Sequence, residues 1–511
     1  MNTSLNWVAT GVFVFFFLVV AVMGFLSAHW QRGDLNKLDE WGLGGRRFGV
    51  LITWFLLGGD FYTAYTIIAV PAFVYGAGAI GFFALPYTIL VYPFVFVVMP
   101  RLWSVSKRHN YITLADFARG RYGSRTLALA IAITGILATM PYIALQLVGL
   151  QVTIAALGLH GSGFVNDLPL IVAFLVLAAF AYTSGLRAPA SIAVVKDTMV
   201  YIFVLAAVIW IPLKFGGFGH VFDVAGQTLA SRSTTGALIL PQSQYLPFAT
   251  LALGSALAAF LYPHTVTGVL SSSSATTIKR NAVLLPIYTL LLGLLASLGY
   301  MAIAAGVHVT STNDTLPSLL QKVFPSWFVG FSFAAIAIGA LVPAAIMAIA
   351  ASNLFTRNIY REYIRPEVAP SEEATVAKVT AILIIVGALV FVVLGAQSYA
   401  IVLQLLGGIW ITQTLPAVVF GLFARWFHPK ALVGGWFAGM FCGTAMAWSQ
   451  NLKSAIFPLH IGGTTLASYA AIDALIVNLA VAALLTILFG GLGVDRGSDE
   501  TVPADYVESA S

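Results

Sequence analysis

The sequence is dominated by long apolar segments, and this pattern limits the fold more than any other feature. Of the 511 residues, 59% are hydrophobic and only 9% are charged, whereas about 25% of the residues of a soluble protein are charged. Apolar segments of about 20 residues can cross a bilayer as α-helices, which satisfy their own backbone hydrogen bonds. The sequence therefore predicts an all-α polytopic membrane protein.

A hydropathy window of about 19 residues predicts about 13 transmembrane helices. Their approximate limits are residues 6–28, 49–75, 78–99, 126–157, 168–184, 190–213, 245–270, 282–306, 327–355, 376–395, 398–423, 433–448 and 470–490. The first span is too long for a signal-peptide core and has no basic residues before it, so we expect it to be retained. The sequence contains no G-x-x-x-x-G-K-[ST] loop, which argues against ATP-driven pumping.

Basic residues are distributed unequally between the two sides of the predicted membrane. Of 25 Lys and Arg residues, 21 fall on one side, and only Lys214, Arg232, Lys322 and Lys453 fall on the other. Because basic connections stay in the cytoplasm, the N-terminus is predicted outside and the C-terminus inside. The net charge of +6 is then a topology signal, so we expect membrane lipid and no nucleic acid as a partner. Residues 491–511 are short, polar and acidic, which predicts a disordered cytoplasmic tail.

An aspartate interrupts the second span. Asp60 lies in the segment GGDFYTAY, residues 58–65, and the two glycines before it weaken the helix. An acid inside a membrane is costly and usually faces a cavity, a partner or an ion path, although a structural hydrogen bond to another helix is the alternative. Asp197, beside Lys196 near the cytoplasmic end of span six, belongs either to an interfacial salt bridge or to an inner exit path.

A second interruption occurs in span seven, at Tyr262-Pro263-His264. Proline removes a backbone hydrogen bond, so the segment is either a simple kink with a packed histidine or a discontinuous helix that lines a cavity. The two interrupted spans are five apart, as expected if spans 2–6 and 7–11 form two copies of opposite topology. Paired broken helices indicate a transporter's central site, where half-helix N-termini attract anions and unwound carbonyls suit a small cation.

Further candidate site residues lie in spans four and eleven. They are Tyr142 and Gln146 in span four, and Gln404 and Gln413 in span eleven. A single glutamine in a membrane helix also serves to hold helices together, and that interpretation stays open for each of them.

These stretches resemble the sodium:solute symporter family over residues 7–490, and most of all its bacterial monocarboxylate uptake permeases. The resemblance is carried by Gly59 to Pro71, Tyr111 to Gly123, Pro263-His264, and Thr183 to Arg187 followed by Asp197. It implies cation-coupled uptake by alternating access at the inner membrane of a bacterial cell. It also implies the leucine-transporter-type inverted 5+5 repeat: a leading helix at 1–28, repeats at 49–213 and 245–423, and two accessory helices at 433–490.

The resemblance further implies where a sodium ion would bind. The family's sodium site uses carbonyls that fall on Gly59, Tyr62 and Gly339 here, and two hydroxyl residues that fall on Val342 and Pro343. Neither of these two carries a hydroxyl, so two of the oxygen ligands that a hard cation prefers are missing. The coupling ion is therefore either sodium or a proton.

We interpret the chain as a secondary active transporter that needs no cofactor and imports a small organic anion, such as lactate, pyruvate, acetate or propionate. Asp60 is the predicted coupling residue, and Asp197 is predicted to assist cation release. The predicted substrate-binding residues are Tyr62, Thr63, Tyr65, Tyr142, Gln146, Tyr262, His264 and Gln404.

Three other functions are weighed against this interpretation. They are a sodium-coupled symporter for proline or alanine, a passive channel, and an intramembrane enzyme that uses Asp60 and His264 as acid and base. No second central aspartate, metal-ligand cluster or serine–lysine pair in the sequence supports the enzyme. The sequence leaves the oligomeric state open.

Overall fold

The structure is a computed structural model that describes residues 5–30, 33–60, 62–158, 164–232, 236–393 and 400–508. Several predicted features lie outside the described residues: Arg32, the span limits near 395 and 398, and tail residues 509–511. Within the described ranges the chain is almost entirely helical, with one two-stranded antiparallel sheet.

The helices of the first half are α1 Trp7–Leu26, α2 Leu38–Leu43, α3 Val50–Gly59, α4 Val70–Ala77, α5 Ala84–Val97, α6 Met99–His109, α7 Leu114–Tyr122, α8 Arg125–Ala156, α9 Phe164–Ser184, α10 Arg187–Lys214 and α11 Gly217–Ser231. The second half contains α12 Tyr245–Ala259, α13 Pro263–Leu270, α14 Ala275–Leu284, α15 Pro286–Ala304, α16 Thr315–Val323, α17 Ser326–Phe355, α18 Pro370–Val393, α19 Ala400–Ile411, α20 Gly421–Phe423, α21 Pro429–Ser449 and α22 Ala470–Gly491.

The helices match the predicted membrane-embedded fold. Among the described residues, ten helices are long and apolar enough to cross a membrane, or up to eleven if the bent pair is one span. Shorter apolar helices at Val50–Gly59, Tyr65–Ala77 and Leu168–Ser184 overlap the second and fifth predicted spans. The polytopic helical class is thus confirmed, whereas the count of 13 and the inverted-repeat arrangement stay predictions.

Both predicted helix interruptions are present. In the first, α3 ends at Gly59, and a π-helical turn at Tyr65–Ala69 leads into α4. In the second, the chain bends by 49° between α12 and α13, and α13 begins at Pro263, where a missing N–H costs no helical bond. The second interruption is therefore a discontinuous helix rather than a simple kink. We call these sites the first and second helix breaks.

The centre of the fold is formed by α17, whose apolar stretch is entirely buried. A hairpin that the sequence did not predict precedes α22, with β1 at Ile456–Ile461 and β2 at Thr464–Tyr469. Its last residue, Tyr469, is buried and donates a hydrogen bond to the Leu405 carbonyl at 2.6 Å. The hairpin therefore packs into the helices rather than lying free in solvent.

The described part of the tail, residues 492–508, is packed, in contrast to the predicted disorder. Asp499 accepts a hydrogen bond from Arg121 of α7 at 2.5 Å, and Asp505 lies 2.9 Å from His109 of α6. Thr501 and Tyr506 are buried. Opposite charge on the tail and on the basic helix ends explains why a polar segment docks there.

Candidate functional site

Side chains hold the first helix break open by binding its amides. The Thr63 N–H donates to Thr66 Oγ1 at 3.1 Å, the Ala64 N–H to Gln146 Oε1 at 2.9 Å, and the Tyr65 N–H to Thr63 Oγ1 at 3.0 Å. In a regular helix these amides would bond to the carbonyls four residues earlier. Those carbonyls therefore lack their helical donors and are available to other partners.

The two glycines before the break permit close packing as well as weakening the helix. A Cβ on Gly58 would overlap the ring of Tyr288, and one on Gly59 would lie 2.8 Å from Lys196 Nζ and 2.9 Å from Asp197 Oδ2. Any larger residue at either position must displace its neighbours.

Lys196 and Asp197 of α10 form an ion pair beneath the first helix break. Lys196 Nζ donates to the carbonyl of Gly59 at 2.6 Å and to that of Tyr62 at 3.2 Å. It also lies 3.0 Å from Asp197 Oδ1, in a contact that is an ion pair rather than an aligned hydrogen bond. Asp197 Oδ2 accepts a hydrogen bond from Tyr288 Oη at 2.7 Å.

The position of this pair corrects two sequence interpretations. Lys196 was counted among the cytoplasmic topology signals, and Asp197 was placed in an interfacial salt bridge or an exit path. Both side chains are 0% exposed. The pair is a structural part of the helix break, because its charges are neutralised there by each other and by backbone carbonyls.

Asp60 faces the beginning of α13 at the second helix break. Its Oδ2 accepts a hydrogen bond from Thr265 Oγ1 at 2.9 Å and lies 3.6 Å from His264 Nε2. All three side chains are buried. The structure thus brings Asp60 and His264 together, as the sequence predicted, and adds Thr265, a hydroxyl in the first turn of α13 that the sequence reasoning missed.

Four buried polar atoms around this pair have no hydrogen-bond partner among the described residues. They are Asp60 Oδ1, His264 Nδ1, Tyr65 Oη and Gln404 Oε1. Buried polar atoms are nearly always hydrogen-bonded, so each exception needs an explanation. Their combination of a carboxylate, an imidazole, a phenol and an amide suits a small polar ligand.

Aromatic rings connect these residues into one cluster. The Tyr142 ring centroid lies 5.3 Å from the His264 ring and 5.4 Å from the Tyr262 ring. Tyr262 Oη donates to the Gln404 carbonyl at 3.0 Å, and Tyr65 is close enough to Tyr142 to interact electrostatically. We call Asp60, Tyr65, Tyr142, Tyr262, His264 and Gln404 the central cluster.

Other predicted substrate residues shape the first break instead of facing the central cluster. Tyr62 Oη donates to the Tyr288 carbonyl at 2.8 Å, on the side of Lys196. Gln146 is engaged at both ends, since its Nε2 donates to the Tyr142 carbonyl at 3.3 Å. The Thr63 hydroxyl is occupied by a backbone amide.

Gln413 lies farther along the chain and serves as helix-to-helix glue. Its Nε2 donates to the Ile409 carbonyl at 2.9 Å, and its Oε1 accepts from Asn478 Nδ2 at 3.1 Å.

The residues of the predicted sodium site lie in or beside the first break. A Cβ on Gly339 of α17 would be 3.9 Å from the Tyr62 carbonyl oxygen, so α17 passes directly beside that carbonyl. Pro343 has no N–H, which leaves the Gly339 carbonyl without its helical donor. Val342 and Pro343 are buried in α17 and supply no oxygen from their side chains. Among the described residues, no group of three or more His, Cys, Asp or Glu is arranged to hold another metal.

A cavity of about 320 Å³ lies close to the central cluster. It is lined by α4 and the end of the π-helical turn, by Ile401 and Leu405 of α19, and by residues 453–456 before β1. Ala69 in its wall is one turn from Tyr65, and Ile401 and Leu405 flank Gln404 along α19. Its rim includes Lys453, one of the few basic residues on the predicted outer side.

Comparisons with known proteins agree with this geometry. The model of the family described as Sodium:solute symporter family matches residues 41–443. The chain is 55% identical over 492 residues to a monocarboxylate transport permease protein of Rhizobium johnstonii, covering 96% of this chain and 98% of that protein. It is 37% identical over 428 residues to YodF, an uncharacterized symporter of Bacillus subtilis, with 83% and 84% covered.

A solved structure of a Na⁺-coupled sialic acid symporter, in a substrate-bound outward-open state, shares the fold. The TM-score is 0.74 at 16% sequence identity, and the alignment covers 94% of this chain and 98% of that one.

Proposed function

Because the chain belongs to the sodium:solute symporter family, we propose that it imports a short monocarboxylate, such as lactate, pyruvate, acetate or propionate, together with a cation. The observation that carries this proposal is the set of unpartnered polar atoms in the central cluster, where the two helix breaks meet. The similarity to a protein named for monocarboxylate transport supports the substrate class.

Charge at the central cluster explains why uptake of an anion would be coupled. A substrate carboxylate beside an ionised Asp60 is repelled unless positive charge compensates it. His264 directs Nε2 towards Asp60 and leaves Nδ1 without a partner. When the imidazole carries a second proton, Nδ1–H can donate to the substrate carboxylate, so substrate and proton enter together without changing the net charge of the cluster.

Two coupling ions have separate support. Family membership supports sodium, whereas the pairing of Asp60 with His264 supports a proton. We assign the proton to this pair in the proposal, and the experiment below imposes the two gradients separately.

The unequal distribution of basic residues supports an orientation for uptake. With the basic side in the cytoplasm, the cavity bordered by Lys453 opens to the outside. Substrate would enter from this cavity, and rearrangement at the two helix breaks would release it inside. In this orientation the packed tail lies on the cytoplasmic face of a bacterial inner membrane.

Uptake into proteoliposomes tests the proposal. We expect labelled lactate, pyruvate or acetate to accumulate against its gradient when a proton or sodium gradient is imposed. Asp60→Asn should abolish accumulation but retain exchange of substrate for substrate, because the site stays formed while its proton carrier is lost. Asp473→Asn is the matched control, since Asp473 is half-buried in the first turn of α22, where Ser468 donates to it.

Each outcome has a definite consequence. Full accumulation by Asp60→Asn would remove the coupling role of Asp60. Flux without accumulation would indicate a channel, and uptake of proline or alanine alone would indicate the amino-acid symporter. Chemical conversion of the solute by the purified protein would indicate the intramembrane enzyme.

A further inference from the structure

The first helix break already contains a positive charge, and it belongs to the protein. Lys196 Nζ lies 2.6 Å from the Gly59 carbonyl oxygen, 3.2 Å from that of Tyr62 and 3.0 Å from Asp197 Oδ1. An ammonium group has three N–H donors, so three oxygens face three donors. The Lys196 side chain is completely buried, which leaves it no contact with water.

The oxygens around Lys196 are of the kind that a small hard cation requires. The Gly59 carbonyl has no helical donor, because the Thr63 N–H donates to Thr66 instead. The Gly339 carbonyl beside the break lacks its donor because of Pro343. Unwound carbonyls and a carboxylate are suitable ligands for sodium in a membrane.

Sodium cannot join the ammonium at this position. Even a single added carbon on Gly59 would lie only 2.8 Å from Nζ, so there is no room for an ion between them. Two unit positive charges about 4 Å apart, at an effective dielectric constant of about 20, would weaken ion binding roughly a thousandfold. Val342 and Pro343 contribute no hydroxyl that would offset this repulsion.

We propose that the Lys196 ammonium is the resident cation of the first helix break, so that sodium neither binds there nor couples transport through it. The consequence for transport rests on the proposed function. Coupling would then run through a different group, and Asp60 with His264 is the ionisable pair that the structure places at the second break.

Thermal unfolding of the purified full-length protein, without substrate, tests this assignment. The midpoint Tm is measured in sodium chloride and in choline chloride at equal ionic strength. We expect the same Tm in both salts for the wild-type chain. Lys196→Ala leaves Asp197 and two carbonyls without a cation, so its Tm should rise with sodium and not with choline. The double variant Lys196→Met with Asp197→Asn removes both charges and should lose the sodium response.

The outcomes separate this proposal from the transported solute, because no substrate is present. A Lys196→Ala chain that responds to sodium no more than wild type would overturn it. Recovery of Lys196→Ala only in sodium would support it. If that variant cannot be isolated in either salt, the wild-type chain decides: a sodium-specific rise in Tm overturns the proposal, and equal Tm values support it.

Discussion

Replacing Gln146 by methionine should weaken substrate binding, because it releases the first helix break. Gln146 is completely buried, accepts the Ala64 N–H at 2.9 Å and donates to the Tyr142 carbonyl at 3.3 Å. Methionine preserves the length of the side chain but leaves the buried Ala64 amide without an acceptor. Such a loss costs about 1–3 kcal/mol, and Asp60 and Tyr65 lie on either side of that amide in the chain.

The magnitude follows from how much of this cost falls on the bound conformation. If all of it opposes the shape that binds substrate, the apparent affinity falls by about 5- to 150-fold. The assay is the substrate concentration that gives half-maximal uptake in proteoliposomes, together with Tm in detergent. We expect the half-maximal concentration to rise and Tm to fall.

Gln413→Met provides the matched control. Gln413 is also buried and also bonds at both ends, to Ile409 and Asn478, but it makes no printed contact with either helix break. We expect both variants to lower Tm, and only Gln146→Met to change the affinity. An unchanged half-maximal concentration in Gln146→Met, or an equal change in both variants, would refute the role of Gln146 in holding the break.

Three further substitutions test separate parts of the structure. Gly59→Ala should abolish uptake in proteoliposomes, because its Cβ would lie 2.8 Å from Lys196 Nζ and displace the ammonium. Thr265→Val should lower the uptake rate at least about tenfold, because it removes a donor to Asp60, and hydrogen bonds to charged groups contribute about 1.5–3 kcal/mol. Asp505→Asn should loosen the tail, which is measured as faster amide hydrogen exchange over residues 498–506.

Each of these predictions has its own control. Gly49→Ala should leave uptake unchanged, because no atom lies within 4 Å of the added carbon, and equal losses in both alanine variants would contradict the argument for Gly59. Thr265→Ser should retain uptake, since it keeps the donor. Asp495→Asn changes an exposed tail acid and should leave the exchange rates unchanged.

The tail contact also has an expected pH dependence. Burial raises the pKa of Asp505, but the hydrogen bonds from His109 and the Val502 N–H, with the charges of His109 and Arg108, outweigh it and lower the pKa overall. A lowered folded pKa stabilises docking above the unfolded value of about 3.9, and that contribution is lost as the pH falls through the folded pKa. Protection by Asp505 should therefore be constant from about pH 5 to pH 8, and weakening within that range would contradict this origin.

The sequence by itself determined the membrane-embedded helical fold and the location of both helix breaks. Hydrophobicity over a window, paired glycines and a proline are local properties, and each one acts on the backbone where it stands. The same local signals identified Asp60 and His264, because an acid or an imidazole inside an apolar span is costly wherever its partner lies.

Only the tertiary structure decided which groups these residues face. Lys196 is separated from Gly59 by 137 positions, and Thr265 is separated from Asp60 by 205. A lysine beside an aspartate near the end of an apolar span has the same local pattern whether it lies in a loop or beneath a helix break. Because the free energy of a buried charge depends on the oxygens that surround it, the sequence located the breaks, whereas helix packing placed an ammonium in one and left unpartnered polar atoms beside the other.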